Sequence, residues 1–271
     1  MDADNLQFSQ HADVLARGIH HLGLGRGSGH LLNAADWLFA ASSTVSVDCI
    51  TSQHDDSIFW CATAAEFEDR RSKLWAAHLT ELSRFTFCWT GFECLLKGLF
   101  SKAELRKGFM PALMTRFKGF KTADLSNSLL CVHLRLKGGR LAEELEKLNN
   151  PTPCHQKALD KLLFNSFPGQ GAIEAIKSLR NAFAHGGFYL PFPDSDICEE
   201  DQMTRVISLS ISLLLIVSQY LVFLSISSDE LSMRITLPYE LEDEPSLSQL
   251  LLAGCSLDFF WRVNGQFDLL G

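Results

Sequence analysis

Apolar residues recur at three- and four-residue spacing along most of this chain, which is the period of helices that pack against a core. The longest stripe lies within residues 58–100 and predicts a central bundle helix. Its apolar positions are Leu74, Ala77, Leu82, Phe85, Cys88, Trp89, Phe92, Leu95 and Leu96. A second stripe with the same period precedes a glycine pair at residues 186–187, and its members are Ala172, Ile176, Leu179 and Phe183. These patterns predict an all-α fold.

Two shorter helices are predicted before the central one. Residues 6–21 have an amphipathic pattern, and residues 31–41 predict a helix in which Trp37 and Phe39 are buried. The buried side of the first helix is predicted to consist of Leu6, Val14, Leu15 and Ile19. Between the two, alternating glycines in residues 23–29 predict a flexible connector. This run lacks the Lys-Ser/Thr pair of a P-loop and follows no clear strand, so it does not indicate a nucleotide site.

Two glycine pairs predict helix ends. Gly138-Gly139 predict a break between an apolar segment at residues 125–136 and a charged helix at residues 141–148. Gly186-Gly187 predict the stop of the second stripe, because glycine adopts the left-handed conformation at little cost. His185 is thereby expected in the last helical turn, where the carbonyl end of the helix favours an imidazolium suited to proton transfer.

A late apolar segment, residues 203–226, predicts another long helix. It carries no charge from Val206 through Ser228, so its length alone would span a bilayer. Several serines and a glutamine interrupt it, and neither flank has the basic cluster of a membrane protein. We expect a buried helix, or one at a dimer interface, and no association with a membrane. Beyond it, residues 233–239 predict a short strand.

The strongly polar chemistry of the chain lies beside the second stripe, in residues 179–187 with the sequence LRNAFAHGG. Arg180 lies next to the apolar face, whereas Asn181 and His185 are four residues apart and can touch. Arg180 and His185 are separated by more than a third of a turn, so a site that uses both is easier to assemble across the two-fold axis of a homodimer. In the alternative interpretation, Arg180 pairs with a surface carboxylate and His185 only caps the helix.

This string resembles the R-x4-6-H motif of the HEPN superfamily of helical nucleases, in which a polar residue frequently follows the arginine. Residues 87–96, FCWTGFECLL, resemble the early HEPN helix that carries a Trp and then a Glu. In that family the early helix precedes the motif helix and an apolar helix follows it, and the order here is the same. The resemblance covers residues 72–227.

The resemblance implies a HEPN-type helical bundle at residues 72–230, with an N-terminal helical extension at residues 1–71 and a C-terminal extension at residues 231–271 packed on the domain. It also implies an endoribonuclease without a metal or other cofactor. The 2′-OH of RNA would attack the adjacent phosphodiester, leaving a 2′,3′-cyclic phosphate and a 5′-OH. A role in toxin–antitoxin or anti-phage defence follows by analogy, with an antitoxin or regulatory protein as a candidate partner.

The same resemblance implies a role for each polar residue of the motif. His185 would be the general acid or base, and Arg180 would stabilise the charge of the phosphorane. Asn181 would orient His185 or bind a phosphate oxygen. The alternatives are a non-catalytic HEPN module that binds RNA, a nucleotide or a partner protein, and a helical scaffold that docks a partner.

Glu93 is the one acid within the apolar residues 87–96. A buried carboxylate needs a cation or several hydrogen-bond donors. Arg180 is the predicted partner if the two helices pack together, which makes Glu93 a supporting residue of the site. The alternative is a Glu at the edge of the stripe that faces water.

Charge is unevenly distributed along a chain whose formal net charge is −8. Residues 97–140, the basic segment, hold ten cations and two anions, a net +8, whereas the residues after His185 hold three cations and thirteen anions, a net −10. The basic segment predicts a phosphate-binding face for RNA. Its candidate RNA-binding residues are Lys97, Arg106, Lys107, Arg116, Lys118, Lys121, Arg135 and Lys137. Alternatively, these cations only cover exposed helix surfaces.

The eight cysteines are scattered, with no C-x2-C pair and no secretory leader at the N-terminus. This pattern is typical of reduced thiols, so we expect a cytoplasmic protein. His20-His21 and His30 have no Cys or carboxylate at a ligand spacing, and no metal site is predicted.

Overall fold

The computed structural model shows an all-helical protein. It describes residues 3–54, 61–106, 108–119, 129–148, 150–164, 168–185, 190–193 and 202–225. These residues form nine α-helices and one 3₁₀ turn, with no strand among them, which confirms the predicted all-α class. The short strand expected at residues 233–239 lies outside the described residues.

The helices surround one hydrophobic core. They are α1 (Ala3–Arg26), α2 (Gly29–Ser43), α3 (Ala62–Leu99), α4 (Lys102–Leu105), α5 (Phe109–Gly119), α6 (Leu129–Glu146), α7 (Pro153–Leu163), α8 (Pro168–Ala184) and α9 (Gln202–Ser225), with the 3₁₀ turn at Thr51–His54. Helix α2 packs along α1 and α3, α9 lies against α3, α6 and α8, and α7 packs beside α8. The predicted domain boundary at residue 72 falls within α3, and α1 and α2 share the core with the later helices. The three-part division stays a prediction.

The predicted stripe of α3 is buried along the second half of that helix. Its fully buried members are Phe85, Cys88, Trp89, Phe92, Leu95 and Leu96. Leu74 and Leu82 are half-buried, and Ala77 is exposed, which contradicts its assignment to the core. Ala77 lies off the buried face of this part of α3, where the buried side chains are the polar ones of His78, Thr80 and Glu81.

The flexible connector expected at residues 23–29 is wrong for most of its length, because α1 continues through two of those glycines to Arg26. A Cβ on Gly23 would lie 2.9 Å from Leu32 Cδ2, so glycine allows α1 and α2 to approach closely there. The turn itself is short. Gly27 has a φ of +60°, which favours glycine, and the Ser28 side chain accepts a hydrogen bond from the Leu31 N–H to cap α2.

The predicted burial of Trp37 is also wrong. Helix α2 buries the face formed by Leu31, Ala34, Ala35, Leu38 and Ala41. Trp37 lies outside that face with 38% of its surface exposed, and its ring stacks on Phe87 at 5.7 Å between centroids. Phe39 was predicted to be buried; it is half-buried and packs against the core.

Gly138-Gly139 do not break a helix, contrary to prediction, because α6 runs through both glycines. Leu134, Leu141 and Leu145 are buried at helical spacing on either side of the pair. A mid-helix glycine costs roughly 1 kcal/mol relative to alanine. The burial of this apolar face against α7 and α9 offsets that cost.

Helix α9 is the buried helix that its apolar run predicted. It is the one helix among the described residues that is long and apolar enough to cross a membrane, and 78% of its most apolar window is buried inside the bundle. Its buried serines are satisfied internally, since the hydroxyls of Ser210 and Ser218 donate to the carbonyls of Val206 and Leu214. This burial agrees with a core helix.

Candidate active site on helix α8

Helix α8 buries one face and presents the polar residues of the motif on the other. Ala172, Ile176 and Leu179 are buried, as predicted from their spacing. Phe183 is half-buried and meets the Phe85 ring edge to face, with 4.6 Å between centroids. This apolar face therefore fixes the rotation of α8 on the bundle and, with it, the direction of the motif.

Arg180 is exposed, and its guanidinium lies over a buried aromatic ring. The Cζ atom is 5.9 Å from the centroid of the Trp89 ring. Such a contact attracts the cation to the electron-rich face of the indole. This ring contact is the interaction that the described residues give to the Arg180 guanidinium.

Glu93 does not form the predicted ion pair with Arg180. Its Oε1 instead accepts a hydrogen bond of 2.7 Å from the Trp89 indole N–H, and the carboxylate is half-buried. The indole supplies the donor that a partly buried carboxylate needs, and its ring face holds the guanidinium. Helices α3 and α8 do meet through side chains, since Phe85 contacts Phe183 and Trp89 contacts Arg180. Trp89 thus lies between the two charged groups, which do not contact each other directly.

Lys177 is a residue of this surface that the sequence pattern did not identify. Its Nζ lies 5.5 Å from the centroid of the Phe109 ring. Phe109 in turn meets Trp89 edge to face at 6.3 Å. The rings of Trp89 and Phe109, the aromatic platform, therefore carry two cations that are one helical turn apart on α8. The sequence shows that Lys177 and Arg180 are three residues apart. It does not show that α5 brings Phe109 next to Lys177.

Asn181 and His185 lie at the end of α8. Asn181 is half-buried and His185 is exposed, directly after the last helical residue. The backbone N–H of His185 donates to the carbonyl of Asn181 at 3.1 Å, which is a final helical hydrogen bond. No hydrogen bond joins the two described side chains. The Gly186-Gly187 stop lies outside the described residues.

The basic segment is described only in part. Lys97, Arg106 and Arg135 are exposed, and Lys137 is half-buried. Arg116 and Lys118 belong to α5, but their side chains, like all of Lys107 and Lys121, lie outside the described part of the chain. Burial lowers the pKa of His11 on α1 to about 4; the hydrogen bond with Gln219 opposes this shift, and the charges of His133 and Lys137 add to it. The RNA-binding face stays a prediction.

The described cysteines are all free thiols: Cys49, Cys61, Cys88, Cys94 and Cys154. Burial raises the pKa of Cys88 well above its ordinary value, so this thiol is not a nucleophile. In the part of the chain that the structure describes, no group of three or more His, Cys, Asp or Glu side chains is placed to hold a metal ion.

Comparison of the chain with protein-family models, with curated proteins and with solved structures finds no match. The features of the chain that bear on function are therefore the motif residues, the order of the helices and the geometry of the α8 surface.

Proposed function

We propose that this protein is an endoribonuclease of the HEPN type that acts without a metal ion. The observation that carries the proposal is the exposure of Arg180 and His185 at the C-terminal end of a helix whose other face is buried. Among the described residues, neither side chain is paired with a carboxylate. A helix end that presents an arginine and a histidine in this way suits binding and cleavage of a phosphodiester.

The order and packing of the helices support the same class. Helix α3 carries Trp89 and Glu93, α8 carries the arginine and histidine, and the apolar α9 follows. Helix α9 packs against both α3 and α8, so the three elements that carry the resemblance belong to one bundle. By analogy with HEPN nucleases, the proposal extends to a toxin or anti-phage effector that an antitoxin or regulatory protein controls.

The proposed reaction needs only side-chain chemistry. The ribose 2′-oxygen attacks the adjacent phosphorus and the bond to the 5′-oxygen breaks, which gives a 2′,3′-cyclic phosphate and a 5′-OH. His185 accepts the 2′-OH proton or donates a proton to the leaving 5′-oxygen. Arg180 stabilises the charge that develops on the phosphorane oxygens, and the Asn181 amide binds a phosphate oxygen or orients His185.

The aromatic platform gives Arg180 a fixed base. Trp89 is buried, and its N–H is held by Glu93, so the ring below the guanidinium cannot easily reorient. A positioned cation stabilises a developing charge without the cost of reorganisation at the moment of reaction. Glu93 thus supports the site through Trp89 rather than by neutralising Arg180.

A homodimer completes the proposal. Arg180 and His185 are five positions apart, which corresponds to about 140° around the axis of a helix, so one α8 does not direct both side chains to the same point. A two-fold axis beside α8 brings the arginine of one protomer near the histidine of its partner. The expected assembly is therefore a dimer with two motif helices lining one cleft.

The test is incubation of purified protein with mixed RNA in EDTA, followed by mapping of the cut ends. We expect cleavage with 2′,3′-cyclic phosphate and 5′-OH ends. His185→Ala and Arg180→Ala should each lose roughly 10²–10⁴-fold in rate while the protein stays folded. His30→Ala removes an exposed histidine from α2 and is the matched control. Loss of wild-type cleavage on chelation contradicts the proposal.

One observation favours a second candidate, a non-catalytic module that binds RNA, a nucleotide or a partner protein. Within one chain Arg180 and His185 diverge, which is sufficient for binding but not for concerted catalysis. Such a module retains RNA without cutting it, in EDTA or with added metal. A helical scaffold, by contrast, binds a protein partner and ignores RNA.

A further inference from the structure

Lys177 shares the aromatic platform with Arg180. Lys177 Nζ lies over Phe109 and the Arg180 guanidinium lies over Trp89, and these two rings contact each other. Residues three apart on a helix have Cβ atoms about 5–6 Å apart. The platform therefore holds two cations over two adjoining rings, one helical turn apart on α8.

The one acid of α8, Glu174, forms its ion pair with Lys161 rather than with Lys177. Glu174 lies one turn earlier, and both of its carboxylate oxygens already have other partners. Oε2 is 2.8 Å from the Lys161 Nζ, and Oε1 accepts a 3.1 Å hydrogen bond from the Gln170 amide. Burial alone would raise the pKa of Glu174, but the hydrogen bonds from Lys161 and Gln170 and the charges of Lys161 and Lys177 together outweigh it, so the pKa is lowered.

Lys177 is partly exposed on α8. Among the described residues, no carboxylate forms an ion pair with its ammonium group, and the side chain is half-buried rather than covered. An ammonium on a flexible stem serves as a point charge for a phosphate, whereas the planar guanidinium of Arg180 donates in a fixed fork. The two residues thus suit two different phosphates of one strand.

We propose that Lys177 binds the phosphodiester next to the one that Arg180 contacts, so that the site favours strands with at least two consecutive phosphodiesters. The identity of the strand as RNA rests on the proposed function. The position of the second phosphate rests on the geometry of the platform alone.

The first test compares substrates that differ by one phosphodiester. The dinucleotide has one linkage and no terminal phosphate. Two trinucleotides each add a second linkage, on the 5′ or the 3′ side, made uncleavable by a 2′-deoxy sugar. Lys177→Gln should lower kcat/KM about tenfold on one trinucleotide, mainly through KM, and change the dinucleotide less than twofold. Lys177→Arg should keep the preference for the longer substrate.

The matched control is Lys157→Gln, which removes an exposed lysine from α7. This variant should behave as the wild type on every substrate. An equal loss on the dinucleotide and both trinucleotides in Lys177→Gln overturns the inference, since a second phosphate then plays no part. The inference is also overturned if Lys157→Gln shows the same loss of kcat/KM as Lys177→Gln.

A binding measurement separates failure of this inference from failure of the proposed nuclease. Fluorescence anisotropy with a 2′-deoxy oligonucleotide needs no cleavage. Removal of one phosphate contact should reduce the slope of log affinity against log salt by about 0.7 in Lys177→Gln. If the wild type shows this Lys177-dependent slope but cuts no RNA, the assignment of Lys177 stands and the nuclease is wrong. An unchanged slope, or no binding by the wild type, overturns the assignment.

Discussion

Arg84 and Arg180 both lie over aromatic rings, but they have opposite surroundings. The Arg84 guanidinium is 5.1 Å from the Phe8 ring centroid, and only 3% of the residue is exposed. It binds Glu81 at 2.5 Å and donates to the Thr44 carbonyl at 2.9 Å. Arg180 is exposed, and a ring is the one partner that the described residues give it.

This difference separates a structural arginine from one that can bind a ligand. The donors of Arg84 are used by a carboxylate of α3 and by carbonyls at the end of α2, so Arg84 joins these two helices. Burial raises the pKa of Glu81, although the charge and hydrogen bond of Arg84 oppose the shift. The donors of Arg180 face solvent, where a phosphate can reach them.

The comparison predicts its largest effect on stability. Arg84→Met leaves Glu81 buried without its cation and should lower the free energy of unfolding by about 3–5 kcal/mol. Arg180→Ala removes an exposed side chain and should cost at most about 1 kcal/mol. Urea unfolding at pH 7 measures both variants.

A double variant sharpens this result. Arg84→Met combined with Glu81→Leu removes both charges and should be less destabilised than Arg84→Met alone, because no unpaired carboxylate remains. Equal destabilisation by Arg84→Met and Arg180→Ala would show that the two arginines have the same role.

Buried and exposed histidines give a second, smaller contrast. His78 is 2% exposed and hydrogen-bonds Thr204, and burial lowers its pKa to about 4. The unfolded chain takes up this proton as the pH falls through 6.5, whereas the folded protein takes it up only near pH 4. The histidine therefore reduces stability progressively between those values, by on the order of 2 kcal/mol at pH 4.5 relative to pH 7.

Urea unfolding at pH 7 and pH 4.5 checks this dependence. The His78→Asn variant keeps an amide that can hydrogen-bond Thr204. Its loss of stability between pH 7 and pH 4.5 should be smaller than that of the wild type by about 2 kcal/mol. His30→Asn changes an exposed histidine and should leave the loss unchanged. The same acid-induced loss in His78→Asn and the wild type would show that His78 does not titrate in this window.

The basic segment gives the smallest predicted effect, on RNA affinity alone. Reversal of Arg116, Lys118 and Lys121 to Glu should weaken RNA binding and reduce the salt slope by about 2, because three phosphate contacts are lost. The melting temperature should change little. Filter binding across a salt series measures the slope, and an unchanged affinity and slope in the triple variant would rule out this phosphate-binding face.

Periodicity predicted the helices whose apolar faces are continuous. The second half of the α3 stripe, most of the α8 stripe and the long apolar run of α9 are buried where the spacing placed them. Local composition failed where tertiary packing decided the outcome. Gly23 of α1 and Gly138 of α6 are helical where a neighbouring helix, at Leu32 and Leu162, packs against them, and Trp37 is exposed because α2 buries another face.

The site was predictable only as far as it lies on one helix. Arg180, Asn181 and His185 were identified from their spacing on α8. The approach of Trp89 and Phe109 depends on how α3 and α5 pack against α8, which no local pattern encodes. For the same reason, the sequence suggested a direct ion pair of Glu93 with Arg180, and the indole between them was not foreseen.

The most direct test of the central claim uses two RNAs that differ by one oxygen atom. One has a ribose at the mapped cut and the other has a 2′-deoxyribose there, and both are incubated with the wild type in EDTA under single-turnover conditions. Cleavage by attack of the 2′-OH predicts that the ribose substrate is cut and that the deoxy substrate resists at that linkage. Cleavage of the deoxy substrate at the same linkage would contradict the proposed roles of Arg180 and His185.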